Sequence, residues 1–391
     1  MGVKKQSAVA RARKYAHRLI RFNVICRKPS AFIHLLLTLS SRACEAYNLP
    51  LLFSHCAVSI SPQPCMIGWY RFCDEHSEDV VLNDTQRLKR YLAEEMVEEY
   101  EEGRISRRQM IVTIGRILGV AVVSPALLAS LGCANMGGTN AEESKAPVPE
   151  SRTDGVTVEP NDPDIEVTEV EVPGEDGAIS AYQARPAGEG PFVAILLIHE
   201  NRGLTEHIRD VARRFAKVGY TGLAVDLLSR VGGTAQFTDQ TETTTAISRL
   251  DQEGVISDLR SSVTWLEEQP YVQRGRIGGI GWCWGGGQAW RLATKEPKMN
   301  AVSAFYGPNP PLEDVPDIRA AVLGIYGGED RRITDQEPEL EEALASAGKT
   351  YEMKVFDGAN HAFFNDTGQQ FDPEAAREAW SYTLDWFSKY V

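Results

Sequence analysis

The 391-residue sequence predicts an α/β domain over residues 165–391, with a mostly parallel sheet and helices on both faces. Two observations carry this. Short apolar runs alternate with amphipathic helical patterns, the signature of strands joined by covering helices. The runs are also apolar at successive positions, as strands buried on both faces are. Hydrophobic residues make up 43% of the chain and charged residues 24%, enough to build and solvate a sizeable core. The net charge of −13 excludes a general nucleic-acid binder.

The strands are expected at 192–199 (FVAILLIH), 221–226 (TGLAVD), 276–282 (RIGGIGW), 301–307 (AVSAFYG), 320–328 (AAVLGIYGG) and 351–358 (YEMKVFDG). After the first, Thr205 can cap a helix whose Ile208, Val211, Ala212 and Phe215 share one face, and Gly219 ends it. A further helix is expected from Gly285, carrying Gln288, Ala289, Trp290 and Leu292. The last begins at Asp372 and Pro373, where one residue caps free amides and the other removes one, and turns Ala376, Trp380, Thr383 and Phe387 inward.

Upstream of 165 the chain changes character. Residues 1–45 carry ten Lys or Arg against the single acid Glu45. Cys26, Cys44, Cys56, Cys65 and Cys73 fall in the first fifth without a CxxC pair, so residues 1–95 are left as an unassigned extension. Its end, LNDTQRLKRYLAEEMVEEYEEG, is helical in pattern and stops at Gly103. Residues 96–133 then resemble a bacterial twin-arginine signal: Arg107 and Arg108 precede a short apolar stretch, interrupted by Arg116, Gly119 and Pro125, that ends in LASLGCA. Cys133 is the candidate lipidation site, with signal cleavage or an uncleaved anchor as the alternatives. A natural start at Met96 would put this signal at the N-terminus and leave residues 1–95 outside the native protein. Residues 134–164, rich in Gly, Pro, Ser and acids, are expected to be a disordered linker.

The chemistry is concentrated at GWCWGGG, residues 281–287. Cys283 falls on the turn between a strand and a helix, with glycines at 281 and 285, the spacing of a nucleophile elbow. Such a turn projects the middle side chain, places it at a helix N-terminus that favours a thiolate, and offers the following amide, that of Trp284, to an oxyanion. A dinucleotide fingerprint fails, because residue 284 is Trp where the third glycine would stand, and no GK[ST] phosphate loop occurs. Asp330 follows the strand ending IYGGED and His361 follows YEMKVFDGAN. A nucleophile at a strand end, followed by an acid and a histidine each at the end of a later strand, is the arrangement of an α/β-hydrolase, with Asp330 orienting His361 and Glu329 as a rival orienter. His199, Glu200 and His207 suggest a metal site, but the histidines lie eight positions apart rather than the four of HExxH, so no metal and no cofactor are expected.

These motifs resemble the dienelactone hydrolases, α/β-hydrolases with a Cys, His and Asp triad. GWCWGG, GGED, GANHAF and HENRG at 199–203 carry the resemblance, which spans roughly residues 165–391. It implies that Glu200 meets Cys283 in the resting enzyme, that the amide of Asn201 joins that of Trp284 in the oxyanion hole, and that Arg230 binds a substrate carboxylate. The family's second arginine, four residues beyond the histidine, is replaced by Asn365, with Arg202, Arg331 and Arg332 as possible substitutes. The implied function is an exported enzyme that hydrolyses an ester or lactone through a cysteine acyl-enzyme. Its partners would be a small-molecule substrate, the export machinery, and the membrane only through the signal segment or a lipid. A catalytically idle, tethered binding module on the same fold is the alternative.

Overall fold

The structure, a computed structural model, describes residues 83–120, 123–131 and 157–391. Its elements are helices α1 (Asp84–Glu101), α2 (Arg107–Leu118) and α3 (Pro125–Ser130), then strands β1 (Ile165–Gly174), β2 (Gly177–Pro186) and β3 (Phe192–Ile198), helix α4 (Glu206–Lys217) and strand β4 (Tyr220–Val225). They continue with α5 (Gln240–Ile247), α6 (Gln252–Glu268), β5 (Val272–Trp282), α7 (Trp284–Lys295), β6 (Ala301–Phe305), β7 (Ala321–Gly327), α8 (Arg331–Thr334), α9 (Glu337–Ser346), β8 (Tyr351–Phe356) and α10 (Pro373–Tyr390).

The eight strands form one sheet in the order β1-β2-β4-β3-β5-β6-β7-β8. Pairings from β4 through β8 are parallel, whereas β1 and β2 form an antiparallel hairpin that joins the sheet through β4. All six expected strands are present, which establishes the α/β-hydrolase architecture. The hairpin β1–β2 is additional. Its first strand shows mostly exposed or half-buried residues, as an edge strand should, so its apolar signal is dilute.

Alternate residues of the central strand β5 show how both faces are covered. A Cβ on Gly278 would touch Phe387 of α10, whereas one on Gly281 would lie 2.0 Å from the carbonyl oxygen of Gly285 in α7. On the first side Phe215 of α4 packs against Trp380 and Phe387 of α10, with centroids 4.6 and 6.0 Å away. Asp372 caps α10 by accepting from the amides of Glu374 and Ala375. These two helices therefore wedge the sheet from one side and leave the carboxyl ends of β3, β5, β7 and β8 free to carry loops.

The upstream helices belong to the same compact unit as the sheet. Asn83 and Gln86 form a reciprocal cap at the start of α1, and Ser106 and Gln109 do so for α2. Met96 lies inside α1 and is fully buried, together with Leu92. Arg107 and Arg108 occupy the exposed first turn of α2, which Gly119 closes at φ 71°. No helix among the described residues is long and apolar enough to cross a membrane. Cys133 and residues 134–156 lie outside the described residues. The last part of the expected linker is fastened down: the amides of Thr157 and Val158 donate to the buried Asp210 carboxylate at 2.9 and 2.8 Å.

Candidate active site

Strand β5 runs straight into α7 with one residue between them, Cys283, at φ 58° and ψ −124°. A non-glycine residue there is strained by about 1–3 kcal/mol, a cost that the packing around it must offset. Gly281 and Gly285 make the turn possible, since a Cβ on Gly285 would sit 2.3 Å from the carbonyl oxygen of His199. Cys283 thus caps α7, and Trp284 supplies one of the helix's unpaired first-turn amides. This is the elbow that the glycine spacing predicted.

The other two triad candidates arrive on neighbouring strands. Asp330 ends the turn after β7, and His361 sits in the loop after β8, edge-on to Tyr306 at 4.9 Å. Its Nδ1 lies 2.5 Å from the Asp330 carboxylate, which leaves Nε2 facing the thiol side. Both are buried, while the rival Glu329 is exposed. Burial by itself would lower the His361 pKa, but the Glu95 and Asp330 carboxylates outweigh it and hold the imidazole well above its usual value.

Tyr91, Glu95 and Glu99, one helical turn apart on α1, form a polar stripe turned onto this site. The Tyr91 hydroxyl donates to Cys283 Sγ at 3.1 Å, and Glu95 Oε2 lies 3.6 Å from the same sulfur. Glu95 also receives Arg332 at 2.6 Å, Asn201 Nδ2 at 3.3 Å, and stands 3.5 Å from His361 Nε2. Glu99 receives Arg202 at 2.9 Å and Gln240 at 2.7 Å. Burial, then the Glu95 charge, push the Cys283 thiol up. Arg332 and His361 overcome the burial of Glu95 and hold it well below the usual carboxylate range.

Two residues expected in the site stand differently. Glu200 does not meet the thiol: it accepts from Asn365 Nδ2 at 2.7 Å, and the carboxylate beside the sulfur is Glu95. The residue that replaces the family's second arginine therefore serves as a hydrogen-bond partner for Glu200. Arg230 is held away from the site by a bidentate pair with Asp258, with Nε and Nη2 at 2.7 and 2.6 Å from its two oxygens, and by Asp176. The substitutes are closer. Arg332 and Arg202 hold the acids of α1, and Arg331 lines a cavity of about 750 Å³ with Tyr91, Trp284 and Arg291.

Tyr91 and Glu95 were invisible as site residues because an acid-rich helix far upstream reads as a solvated face. The one usable signal was periodicity, since Tyr91, Glu95 and Glu99 recur at i, i+4 and i+8. Among the described residues, Glu95, Cys283 and His361 also place donor atoms within 4.8 Å of one another, a metal-like grouping. The Arg332 guanidinium on Glu95 already neutralises that carboxylate and opposes a cation there. His199 and His207 take no part in that group: they face the backbone of Glu200 and the Asp366 carboxylate, at 2.7 and 2.8 Å.

Comparisons with known proteins find relatives for more than half of the chain. A protein of Methylorubrum extorquens named "Putative carboxymethylenebutenolidase" is 37% identical over 234 residues, 57% of this chain and 80% of its own length. One of the same name from Escherichia coli K12 is 32% identical over 233 residues, 56% of this chain and 85% of its own. A crystal structure described as a "Putative Dienelactone Hydrolase" from Klebsiella pneumoniae superposes with a TM-score of 0.55 at 31% identity, covering 58% of this chain and 99% of that one. The sequence profile of the Dienelactone hydrolase family matches residues 179–391, from β2 through α10, and includes the elbow, Asp330 and His361. The chain belongs to the dienelactone hydrolase family.

Proposed function

We propose that this hydrolase cleaves a carboxylic ester or lactone with Cys283 as nucleophile. Once the Glu95 carboxylate that keeps the imidazole protonated is withdrawn, His361 Nε2 takes the thiol proton as Sγ attacks the carbonyl carbon, and the oxyanion rests on the amides of Trp284 and Asn201. Collapse of the tetrahedral intermediate breaks the ester C–O bond, and His361 returns the proton to the leaving alkoxide. Water, deprotonated by the same imidazole, then hydrolyses the acyl-thioester and restores the thiol. Asp330 fixes the tautomer and stabilises the imidazolium throughout. The observation that carries this reading is the positive-φ elbow at Cys283 with a buried His361–Asp330 pair beside it. No residue of this scheme calls for a metal or cofactor.

Arg107, Arg108 and the apolar stretch behind them support a second part of the reading, export across a bacterial cytoplasmic membrane by a route that carries folded proteins. Lysine at both positions should retain the protein in the cytoplasm, and normal export of that double variant would refute the assignment.

The hydrolytic reading is tested by a panel of esters and lactones, with and without a carboxylate, against the wild type and Cys283→Ala. Turnover that Cys283→Ala abolishes without loss of fold supports it. The idle binding module is favoured by one observation, that Cys283 is only 3% exposed. Absence of turnover on every substrate, even with the thiol made accessible, would decide for the binding module.

A further inference from the structure

Helix α1 occupies the ground an ester would need. A substrate carbonyl has to reach Cys283 Sγ with its oxygen toward the amides of Asn201 and Trp284 and its leaving group toward His361 Nε2. Glu95 stands at that point. Its carboxylate lies 3.6 Å from Sγ and 3.5 Å from Nε2, and the three donor atoms fall within 4.8 Å of one another. No acyl group fits between sulfur and imidazole while Glu95 is there. Tyr91 covers the remaining approach with its hydroxyl on the sulfur and its ring under the Arg332 guanidinium, 5.0 Å away.

The helix is well fastened. Leu92 and Met96 are fully buried, and Arg202, Arg332 and Arg291 each pair with an acid of α1, at Glu99, Glu95 and Asp84. The family profile begins at residue 179, so α1 is an addition upstream of the common domain. Residues 132–156, which connect α3 to the catalytic domain, contain Cys133, where the export reading puts the cut. A cut there leaves α1 held by non-covalent contacts alone.

We propose that residues 84–101 are an internal inhibitor: docked, they close the Cys283 site, with Glu95 seated where the reacting ester group would bind, and their displacement or removal opens it. Docking and substrate binding are mutually exclusive. This rests on the thiol-hydrolase reading for its consequence but not for its geometry, so two separate readouts test it.

The test uses the full chain and its Leu92→Glu variant, which puts a charge into the buried seam of α1. Iodoacetamide labelling, followed on the Cys283 peptide by mass spectrometry, reports access to the thiol, and p-nitrophenyl acetate hydrolysis reports activity. Labelling of Cys283 should be at least tenfold faster in the variant, with hydrolysis rising by a similar factor. A second form guards against misfolding: the full chain with a specific protease site placed within 134–156, cut after folding and washed in high salt, should show the same two gains. Equal labelling rates in wild type and in both opened forms would overturn the inhibitor. Faster labelling with no gain in hydrolysis would uphold the closure and refute the hydrolase reading.

Discussion

Arg230→Ala tests which arginine faces the substrate. The guanidinium makes a bidentate pair with Asp258, whose side chain is 3% exposed, while that of Arg230 is 24% exposed. Removing one partner of a buried pair costs about 3–5 kcal/mol because the other charge is left stranded. Partial exposure of Arg230 lets water reach the orphaned carboxylate, which reduces this to about 2–3 kcal/mol. For a domain of this size that is a fall in Tm of about 4–12 °C. Thermal melts of Arg230→Ala, Asp258→Asn and the double variant should give a coupling of about 2 kcal/mol. Kinetics should respond little: kcat/KM should stay within about twofold for carboxylate-bearing and neutral esters alike, a change under 0.5 kcal/mol. Unchanged Tm with a selective loss on carboxylate-bearing substrates would refute this and return Arg230 to the site.

Asp330→Asn should lower kcat by roughly two to four orders of magnitude through loss of the His361 tautomer, whereas the exposed Glu329→Gln should change it by less than about twofold. Gly285→Ala should not yield a folded elbow, because its Cβ would lie 2.3 Å from the carbonyl oxygen of His199; a native melting curve would contradict the close approach. Closure by α1 should also weaken as pH rises. Burial raises Glu98 to about 7 against the opposing charges of His361 and Arg332, and the Glu95 carboxylate, which arrives with α1, joins Asp330 in raising His361 against its burial, so the docked state holds more protons than the open one. The Glu98 contribution is fully present below the ordinary glutamate value of about 4.5 and fades as pH climbs through about 7, and the His361 contribution fades at higher pH as the raised imidazole gives up its proton. Glu95, whose pKa is lowered, acts in the opposite sense and only on acidification below its ordinary range. The labelling ratio of Leu92→Glu to wild type should therefore shrink as pH rises from about 5 through about 7, and a ratio that grows would contradict the assigned charges.

The sequence made the parallel strands and the elbow readable because each rests on local constraints. Continuous apolar runs can be satisfied only by burial on both faces, and Gly281 is demanded by the backbone of Gly285 in the same turn, although Gly285 itself answers to the carbonyl oxygens of the distant Ile198 and His199. Asp330 and His361 were readable for a related reason, since strand ends bring them to one edge of the sheet whatever lies between. Contacts set by distant partners were not. Arg230 carries no sign in its own neighbourhood that Asp258 will hold it, and Glu200 none that Asn365 will donate to it. The acids of α1 were the hardest case, because a run such as EEMVEEYEEG looks solvated until Arg202 and Arg332, over a hundred residues away, are seen to receive it. The edge strand β1 escaped notice because it mixes polar with apolar positions, and its hairpin partner β2 went with it.

The central claim, a covalent thioester on Cys283, is tested most directly by acid-quenching the Leu92→Glu chain during turnover of p-nitrophenyl acetate and mapping its peptides by mass spectrometry. The account predicts one acetyl group on the peptide containing Cys283, appearing with the p-nitrophenolate burst and lost as the ester is exhausted, and none in the Leu92→Glu/Cys283→Ala chain. Steady hydrolysis with Cys283 unmodified at every quench time, or undiminished in the Cys283→Ala background, would contradict it.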